Sequence, residues 1–315
     1  MVPFIIRRVI GMIAVLFAIS VVTFTIFNVI PNGDPALRLA GHSTTPATVA
    51  AIRRQYGFNK PVYVQYVRTM EKIFNGSLVS YATQTNVDTE IEHDLGPTIS
   101  LAVGAALLWM AIAMCLGLYT ALKAGKFSDR FLTVLALTGI SMPVFWVGAL
   151  LSYYLGFKAG IFPNGGYVKL TTNPIQWVYH MILPWTALSI LFVGVYSRLL
   201  RSNILDTINE DFVRTARAKG LSERRVLVKH VLRNSLIPII SLWGLDFGAV
   251  IGGGALVVES VFNLGGVGQY AANSIQSLDV PPVMALTIFI AFFVVLSNTV
   301  VDILYAYLDP RIRLA

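Results

Sequence analysis

Six apolar runs, each about as long as a bilayer-spanning helix, divide the chain. A helix that crosses the hydrocarbon core needs about 20 predominantly apolar residues, so each run predicts one span. Pro143 and Pro184 interrupt the third and fourth runs and predict kinks, because proline removes a helical hydrogen bond. The pattern therefore predicts an all-α, polytopic membrane protein with six transmembrane helices. The runs are residues 9–30, 98–122, 131–157, 177–196, 237–258 and 283–305.

A long polar stretch separates the first run from the other five. Residues 32–95 carry both acidic and basic side chains. A segment this long crosses a membrane largely regardless of its charge, so we place it outside. Within it, residues 48–56 and 61–74 favour helices. The chain thus divides into residues 1–95, an N-terminal transmembrane helix plus an extracytoplasmic loop, and residues 96–315, a core of five spans.

The charge of the chain agrees with a membrane protein and predicts its orientation. Of 315 residues, 56% are hydrophobic and only 13% are charged, with a net charge of +8, whereas soluble domains carry about 25% charged residues. This balance argues against a soluble enzyme and against a nucleic-acid partner. Sixteen of the 24 lysines and arginines fall on the side that holds both chain ends, and the short loops opposite hold only Lys158 and Lys169. Cytoplasmic loops are enriched in these residues, so both termini are predicted to be cytoplasmic.

The longest cytoplasmic segment, residues 198–235, carries the end signals of two short helices. Asp211 opens a stretch that ends in Lys219 and is followed by Gly220. An acid at the start, a base at the end and a glycine beyond are typical of helix ends. Glu223 then begins a second helix that leads into the fifth span. A helix–turn–helix between spans suits docking to a partner, and a solvated positive loop is the alternative.

Asp246 stands near the middle of the fifth run. A carboxylate at this depth is expensive and usually faces a bundle interior or a water-filled path. It is therefore predicted either to line a translocation path, where it would meet a substrate ammonium group, or to bond to a neighbouring helix.

Glycines in and after the same run suggest either close packing or movement. Small residues four positions apart allow close helix packing, and a hinge in a gating helix is the alternative for Gly248 and Gly252. Glu259 precedes a glycine-rich segment that includes Gly265 and Gly266. These three residues form either a gate at the outer vestibule or a tight loop. The four-residue repeat consists of Gly244, Gly248 and Gly252.

Catalytic and metal-binding motifs are missing from the sequence. It contains no G-x-x-x-x-G-K-[ST] phosphate cradle, no H-E-x-x-H and no G-x-S-x-G, and its one cysteine, Cys115, excludes a C-x-x-C site. The chain is therefore predicted not to be an enzyme and to bind no metal or cofactor. If transport is driven by ATP, another polypeptide must bind the nucleotide.

Residues 211–221 resemble the ATPase-coupling loop of ABC importer permeases, in the first-permease type of the dipeptide/oligopeptide/nickel branch. Thr215, Ala216 and Gly220 match the pattern Glu-Ala-Ala-x-x-x-Gly, with Arg214 in place of the glutamate. Residues 230–233 depart from the Ile-x-Leu-Pro that the wider pattern expects, and residues 75–78 from Gly-Asp-Leu-Gly. Further resemblances to the same branch, in the expected order, lie at residues 6–8 with 30–35, 141–146, 259–268 and 301–311.

The resemblance implies a type I ABC importer permease in a prokaryotic inner membrane. It implies a second homologous permease, one or two ATPase subunits that bind ATP and Mg²⁺, and an extracytoplasmic solute-binding protein. Peptides are the implied substrate, with nickel, glutathione or another small solute as alternatives. From a different class, the alternative is an ion-coupled secondary transporter with Asp246 as proton carrier. The implied coupling residues are Asp211, Arg214, Thr215, Ala216, Arg217, Ala218, Lys219 and Gly220.

Overall fold

The computed structural model describes residues 2–29, 36–37 and 45–308, and these residues form helices joined by loops. The fold class is all-α, as predicted, and both helices predicted in the long polar segment are present. In chain order the helices are α1 (Val2–Phe24, extended by a π-helical turn, Thr25–Val29), α2 (Pro46–Tyr56), α3 (Val62–Phe74), α4 (Val87–Leu122), α5 (Phe127–Ser141), α6 (Val144–Leu151, extended by π-helical Ser152–Lys158), α7 (Pro174–Thr207), α8 (Asp211–Ala218), α9 (Glu223–Gly254), α10 (Leu256–Val261), α11 (Val267–Gln276) and α12 (Val280–Leu308).

Five of these helices are long and apolar enough to cross a membrane, namely α1, α4, α7, α9 and α12. The third apolar run of the sequence forms α5 and the extended α6, which meet at an angle of 101°. Counted as one broken span, this pair brings the total among the described residues to six, the number predicted. The orientation of the termini stays a prediction.

The two prolines predicted to kink helices behave differently. Pro143 separates α5 from α6, and Met142 before it has the extended backbone (φ −87°, ψ 129°) that a following proline favours. The sharp bend therefore has a local cause. Pro184 lies inside α7, which continues on both sides of it as one helix of 34 residues.

The core of the chain is the close pairing of α4 with α7. Gly104 is what allows it, because a Cβ there would lie 2.0 Å from the Trp185 ring. The Trp185 indole N–H in turn donates to the Ser100 carbonyl at 2.9 Å. Deeper in the pair, the fully buried Trp109 stacks on Phe192 with ring centroids 4.3 Å apart. This pairing fixes α7, whose far end leads into the segment predicted to dock a partner.

The start of α4 lies about three turns earlier than the apolar run suggests, at Val87 rather than at residue 98. Asn86 caps the helix, since its side-chain oxygen accepts hydrogen bonds from the backbone N–H groups of Asp88 and Thr89 at 2.9 and 3.1 Å. The added turns carry acidic side chains, which hydropathy alone cannot assign to a spanning helix. The apolar side chains on these added turns, Val87 and Ile91, form a smaller core cluster with Leu78, α11 and α12.

Candidate functional site

The segment predicted to couple to a partner forms the short helix α8, with one face turned into the chain. Val213 is fully buried and Ala216 is 5% exposed. Both belong to the same core cluster as Val226 and Val231 of α9. The three-residue spacing of Val213 and Ala216 places them on one side of the helix. α8 is therefore seated on its own polypeptide through that side, and only the opposite side is open to a partner.

The opposite side of α8 is open and mostly polar, with the Phe212 side chain 43% exposed beside the charged residues. The Asp211 carboxylate and the Arg214 guanidinium form an exposed ion pair at 3.5 Å. Beyond the helix, Gly220 has φ of 75°, a conformation that suits glycine, and its N–H donates to the Arg217 carbonyl at 2.9 Å. The chain therefore reverses there toward α9. The exposed residues of the predicted coupling set are Asp211, Arg214, Thr215, Arg217, Ala218, Lys219 and Gly220.

Two ion pairs brace this region. Arg217 contacts Glu223 at 3.0 Å, which ties the end of α8 to the start of α9 across the turn. Arg201 on α7 makes two hydrogen bonds of 2.8 Å to the buried carboxylate of Asp129 on α5, and that carboxylate also accepts from the Gly125 N–H at 2.9 Å. Sequence reasoning missed the second pair, because its partners stand 72 positions apart. The two-bonded geometry is the strong form of such a contact.

Asp246 has a specific partner within the span. The Tyr196 hydroxyl on α7 donates a hydrogen bond of 2.6 Å to Asp246 Oδ2. Tyr196 is itself 1% exposed and lies beside Trp109 and Phe192, so its hydroxyl points out of the core toward Asp246. The carboxylate is only partly buried. The contact to a neighbouring helix, one of the two predicted alternatives, is therefore present, and a place on a translocation path stays a prediction.

The glycine repeat on α9 faces α12. A Cβ at Gly244 would lie 2.5 Å from Val301 Cγ2, one at Gly248 would lie 2.2 Å from Ser297 Cβ, and one at Gly252 would lie 2.4 Å from Val294 Cγ2. Each of these positions admits only glycine at the observed helix separation. The structure thus places Gly248 and Gly252 in an interface within the chain, as the packing alternative predicts.

A break in the backbone follows this interface. Gly252 has φ −73° and ψ 26°, Gly253 has φ 108° and ψ −7°, and both lie outside helical geometry. The chain leaves α9 here and starts α10. The helical backbone is therefore broken between α9 and α10.

Glu259 is a fully buried carboxylate that organises the glycine-rich loop. Its Oε1 accepts from the Thr98 hydroxyl at 2.7 Å, and its Oε2 accepts from the Gln269 backbone N–H at 2.9 Å. A Cβ at Gly266 would lie 2.5 Å from its Cδ, so the loop wraps directly over the acid. Gly265, with φ of 67°, makes the turn before it.

This arrangement is that of a tight loop. Glu259 and Gly266 contact each other, Thr98 anchors them to α4, and none of the acid's surface faces a path. Burial raises the pKa of the Glu259 carboxyl, and the hydrogen bonds from Thr98 and the backbone oppose that shift. The structure brings Glu259, Gly265 and Gly266 together and leaves Asp246 apart from them.

Some of the sequence predictions fall outside the described residues. These are the segment at residues 30–35 and the end of the tail at 309–311. The described residues contain no group of three or more His, Cys, Asp or Glu side chains suited to a metal ion.

Comparison with known proteins covers nearly the whole chain. A family described as "Binding-protein-dependent transport system inner membrane component" matches residues 113–314, and its N-terminal companion matches residues 1–102. A probable peptide ABC transporter permease of Sinorhizobium fredii is 34% identical over 98% of this chain and 99% of its own. A probable D,D-dipeptide transport permease of Escherichia coli is 36% identical (96% and 95% covered), and a glutathione transport permease of Salmonella typhimurium is 34% identical (99% of both).

Proposed function

The chain belongs to the family of inner membrane components of binding-protein-dependent transport systems, and from this premise we propose that it imports peptides as one permease subunit of an ATP-driven importer. The names of its relatives support the substrate class, since they refer to peptides, D,D-dipeptides and glutathione. Glutathione is itself a small peptide, so these relatives agree with one another. Nickel or another small solute is the alternative, and competition of each against a labelled dipeptide in reconstituted vesicles distinguishes them.

The family supplies two of the partners, an ATPase and a solute-binding protein. We further propose a second, homologous permease that completes the pathway, and one or two ATPase subunits that hold ATP and Mg²⁺. In this proposal the chain binds neither nucleotide nor metal. Its part in the ATP-driven step is mechanical, through the exposed side of α8.

The observation that carries the coupling proposal is the two-sided character of α8. Its buried side, Val213 and Ala216, is seated on α9, while its polar side is open. A partner that grips the polar side therefore moves α8 and α9 together.

Two alanines on opposite sides of α8 give a matched test. Ala218 is exposed and Ala216 is 5% exposed. Ala218→Trp is expected to reduce ATPase association at least tenfold with an unchanged unfolding temperature. Ala216→Trp is expected to lower that temperature, because overpacking a core costs about 1–3 kcal/mol. Ala124→Trp, an exposed alanine in the α4–α5 loop, is the control. ATPase association that survives Ala218→Trp would place the coupling surface elsewhere.

For Asp246 we propose a place on the translocation path. The Tyr196 hydroxyl donates a hydrogen bond to Oδ2 of Asp246, whereas Oδ1 of the same carboxylate has no hydrogen-bond partner among the described residues. A carboxylate oxygen left facing hydrocarbon is costly, so the open side of this group faces water or a polar partner. In a peptide importer the ammonium group at the substrate N-terminus is the natural cation to meet it.

Peptides with free and acetylated N-termini test this role. Asp246→Asn is expected to lower kcat/KM for the free dipeptide about tenfold, as the loss of a charge-assisted hydrogen bond implies, and to leave the acetylated analogue unchanged. Tyr196→Phe is the companion variant, which removes the positioning hydrogen bond and keeps the charge. An equal loss for both peptides would assign Asp246 a structural role, and peptide import by the unaltered transporter would stand regardless.

The secondary-transporter alternative has its own readout. In vesicles that contain the assembled transporter and the solute-binding protein, uptake is expected to require ATP inside and to ignore an imposed proton gradient. Uptake that follows the gradient without ATP would make Asp246 a proton carrier and overturn the importer proposal.

A further inference from the structure

A deep apolar groove opens between α1, α3, the start of α4 and α12, away from the coupling surface. It encloses about 810 Å³, within the range of about 300–1,000 Å³ that is usual for small-molecule sites. Its walls include Phe17 of α1, Met70 of α3 and Phe289 of α12. In the most apolar stretch of α1, only 17% is buried within the chain, whereas 28–39% of the corresponding stretch is buried in the other four long helices. The groove exists because α1 packs chiefly on α12.

The groove follows α1 through the middle of its apolar span. Along α1 it extends from Met12 to Ser20, and eight residues of helix span about 12 Å. Near Ser20 the groove is bordered by α3, where the Ser20 and Tyr66 hydroxyls are hydrogen-bonded at 2.8 Å. Met12 to Ser20 lie in the middle of the α1 span (Ile6–Val29), and the α12 lining from Ala285 to Phe292 lies nearer the start of that helix, so the groove extends across the middle of the bilayer toward the interface on which the long polar segment lies.

Two carboxylates stand at this interface end. Asp88 and Glu92 line the groove from consecutive turns of α4, and their four-residue spacing puts them on one face. Asp88 Oδ2 is buried and has no hydrogen-bond partner. Among the described residues, neither acid is paired with a lysine or arginine. An acid in the first turn of a helix is stabilised by the helix dipole. This explains the presence of Asp88, but not that of Glu92 or of the groove beside the two acids.

An apolar groove with two carboxylates in its wall, on the side of the long polar segment, is complementary to one kind of amphiphile. We propose that the groove binds an acyl chain of phosphatidylethanolamine, with the primary ammonium of the headgroup at Asp88 and Glu92. An ammonium can donate hydrogen bonds to both carboxylates, whereas a choline headgroup has no N–H and a glycerol headgroup leaves the lipid anionic. The lipid would fill the space between α1 and α3 and hold both against the core.

Native mass spectrometry of the purified full-length chain and of the assembled transporter tests the proposal. The probes are ethanolamine, choline and glycerol phospholipids with identical acyl chains. Ethanolamine lipid is expected to be retained about fivefold over either other lipid, the factor for two partly exposed ion pairs. The double variant Asp88→Asn/Glu92→Gln is expected to lose that preference. Glu90→Gln, an acid of the same helix that does not line the groove, is expected to keep it.

A second variant tests the apolar part separately. Val67 lines the groove and is 60% exposed, so Val67→Trp is expected to fill the groove without loss of folding and to reduce retention of all three lipids. Equal retention of the three lipids by the unaltered chain, or undiminished retention by Val67→Trp, would overturn the proposal. Lipid bound to the isolated chain but absent from the assembled transporter would do so too, because a protein segment would then occupy the groove.

Discussion

The interface between α9 and α12 depends on the absence of side chains on one helix, so Gly248→Ala tests it directly. A Cβ at Gly248 would lie 2.2 Å from Ser297 Cβ, whereas non-bonded carbons rest about 3.5–4.0 Å apart. The helices must then separate by roughly 1.5 Å. Overpacking of this kind costs about 1–3 kcal/mol, and alanine regains up to about 1 kcal/mol of helix propensity. We expect a net loss of about 1–2 kcal/mol.

The assay is thermal unfolding of the purified chain in detergent, where each kcal/mol corresponds to roughly 2–4 °C. Gly11→Ala in α1 is the control, because a Cβ there meets nothing within 4 Å, and its midpoint is expected to be unchanged or higher. Ser297→Gly removes the atom that obstructs the new methyl group. The double variant Gly248→Ala/Ser297→Gly is therefore expected to recover most of the lost stability.

Two results would refute this reasoning. Equal midpoints for Gly248→Ala and Gly11→Ala would mean that α9 and α12 do not meet at Gly248, and failure of Ser297→Gly to rescue would mean that another contact is responsible. A third result, lost peptide uptake with unchanged stability, would favour the hinge interpretation of Gly248 and Gly252 over packing.

Two further predictions concern buried carboxylates. Glu259→Gln is expected to lower the unfolding temperature by the equivalent of about 1–3 kcal/mol, since an amide cannot accept the hydrogen bonds at both oxygens. Ser260→Ala, at the exposed neighbouring position, is expected to change the free energy of unfolding by no more than about 0.5 kcal/mol. If Glu259→Gln and Ser260→Ala have equal effects, Glu259 does not organise the loop. Arg201→Lys is expected to lose the two-bonded contact with Asp129 and to lower the free energy of unfolding by about 1 kcal/mol or more. Arg198→Lys, at an exposed position, is the control and is expected to leave the stability unchanged. If the two variants are equally stable, the Asp129 contact contributes nothing to stability.

The apolar runs predicted the number and order of the spans because burial in lipid acts on each helix separately. Length and hydropathy set where a chain can cross, and these are local properties. The same locality explains the errors at the ends. α4 begins at Val87 because Asn86 caps it and α11 and α12 pack on its first turns, and neither cause is visible in hydropathy. The 101° angle at Pro143 is likewise larger than a kink, since the residue before proline is extended.

Contacts between distant positions could not be predicted from one sequence. Thr98 and Glu259 stand 161 positions apart, and Tyr196 and Asp246 stand 50 apart. Glu259 and Asp246 each allowed two interpretations, because the sequence does not distinguish an acid buried in the protein from an acid that lines a path. The packing of the helices, which supplies or withholds hydrogen-bond donors, gives the two acids different surroundings. For Glu259 it supplies donors to both oxygens, and for Asp246 it supplies one and leaves an open side.

The structure also joins two features that the sequence presents separately, the coupling segment and the polar group in the span. α9 extends over 32 residues from Glu223 to Gly254, with helical backbone up to the break at Gly252 and Gly253. Its beginning is packed on the buried side of α8, its middle carries Asp246, and it ends at the non-helical Gly253. In the proposed importer, a partner that displaces α8 is therefore expected to shift α9 and Asp246 with it. On the far side of the break at Gly253, Glu259 and its loop are anchored to Thr98, so in this proposal α9 moves relative to them.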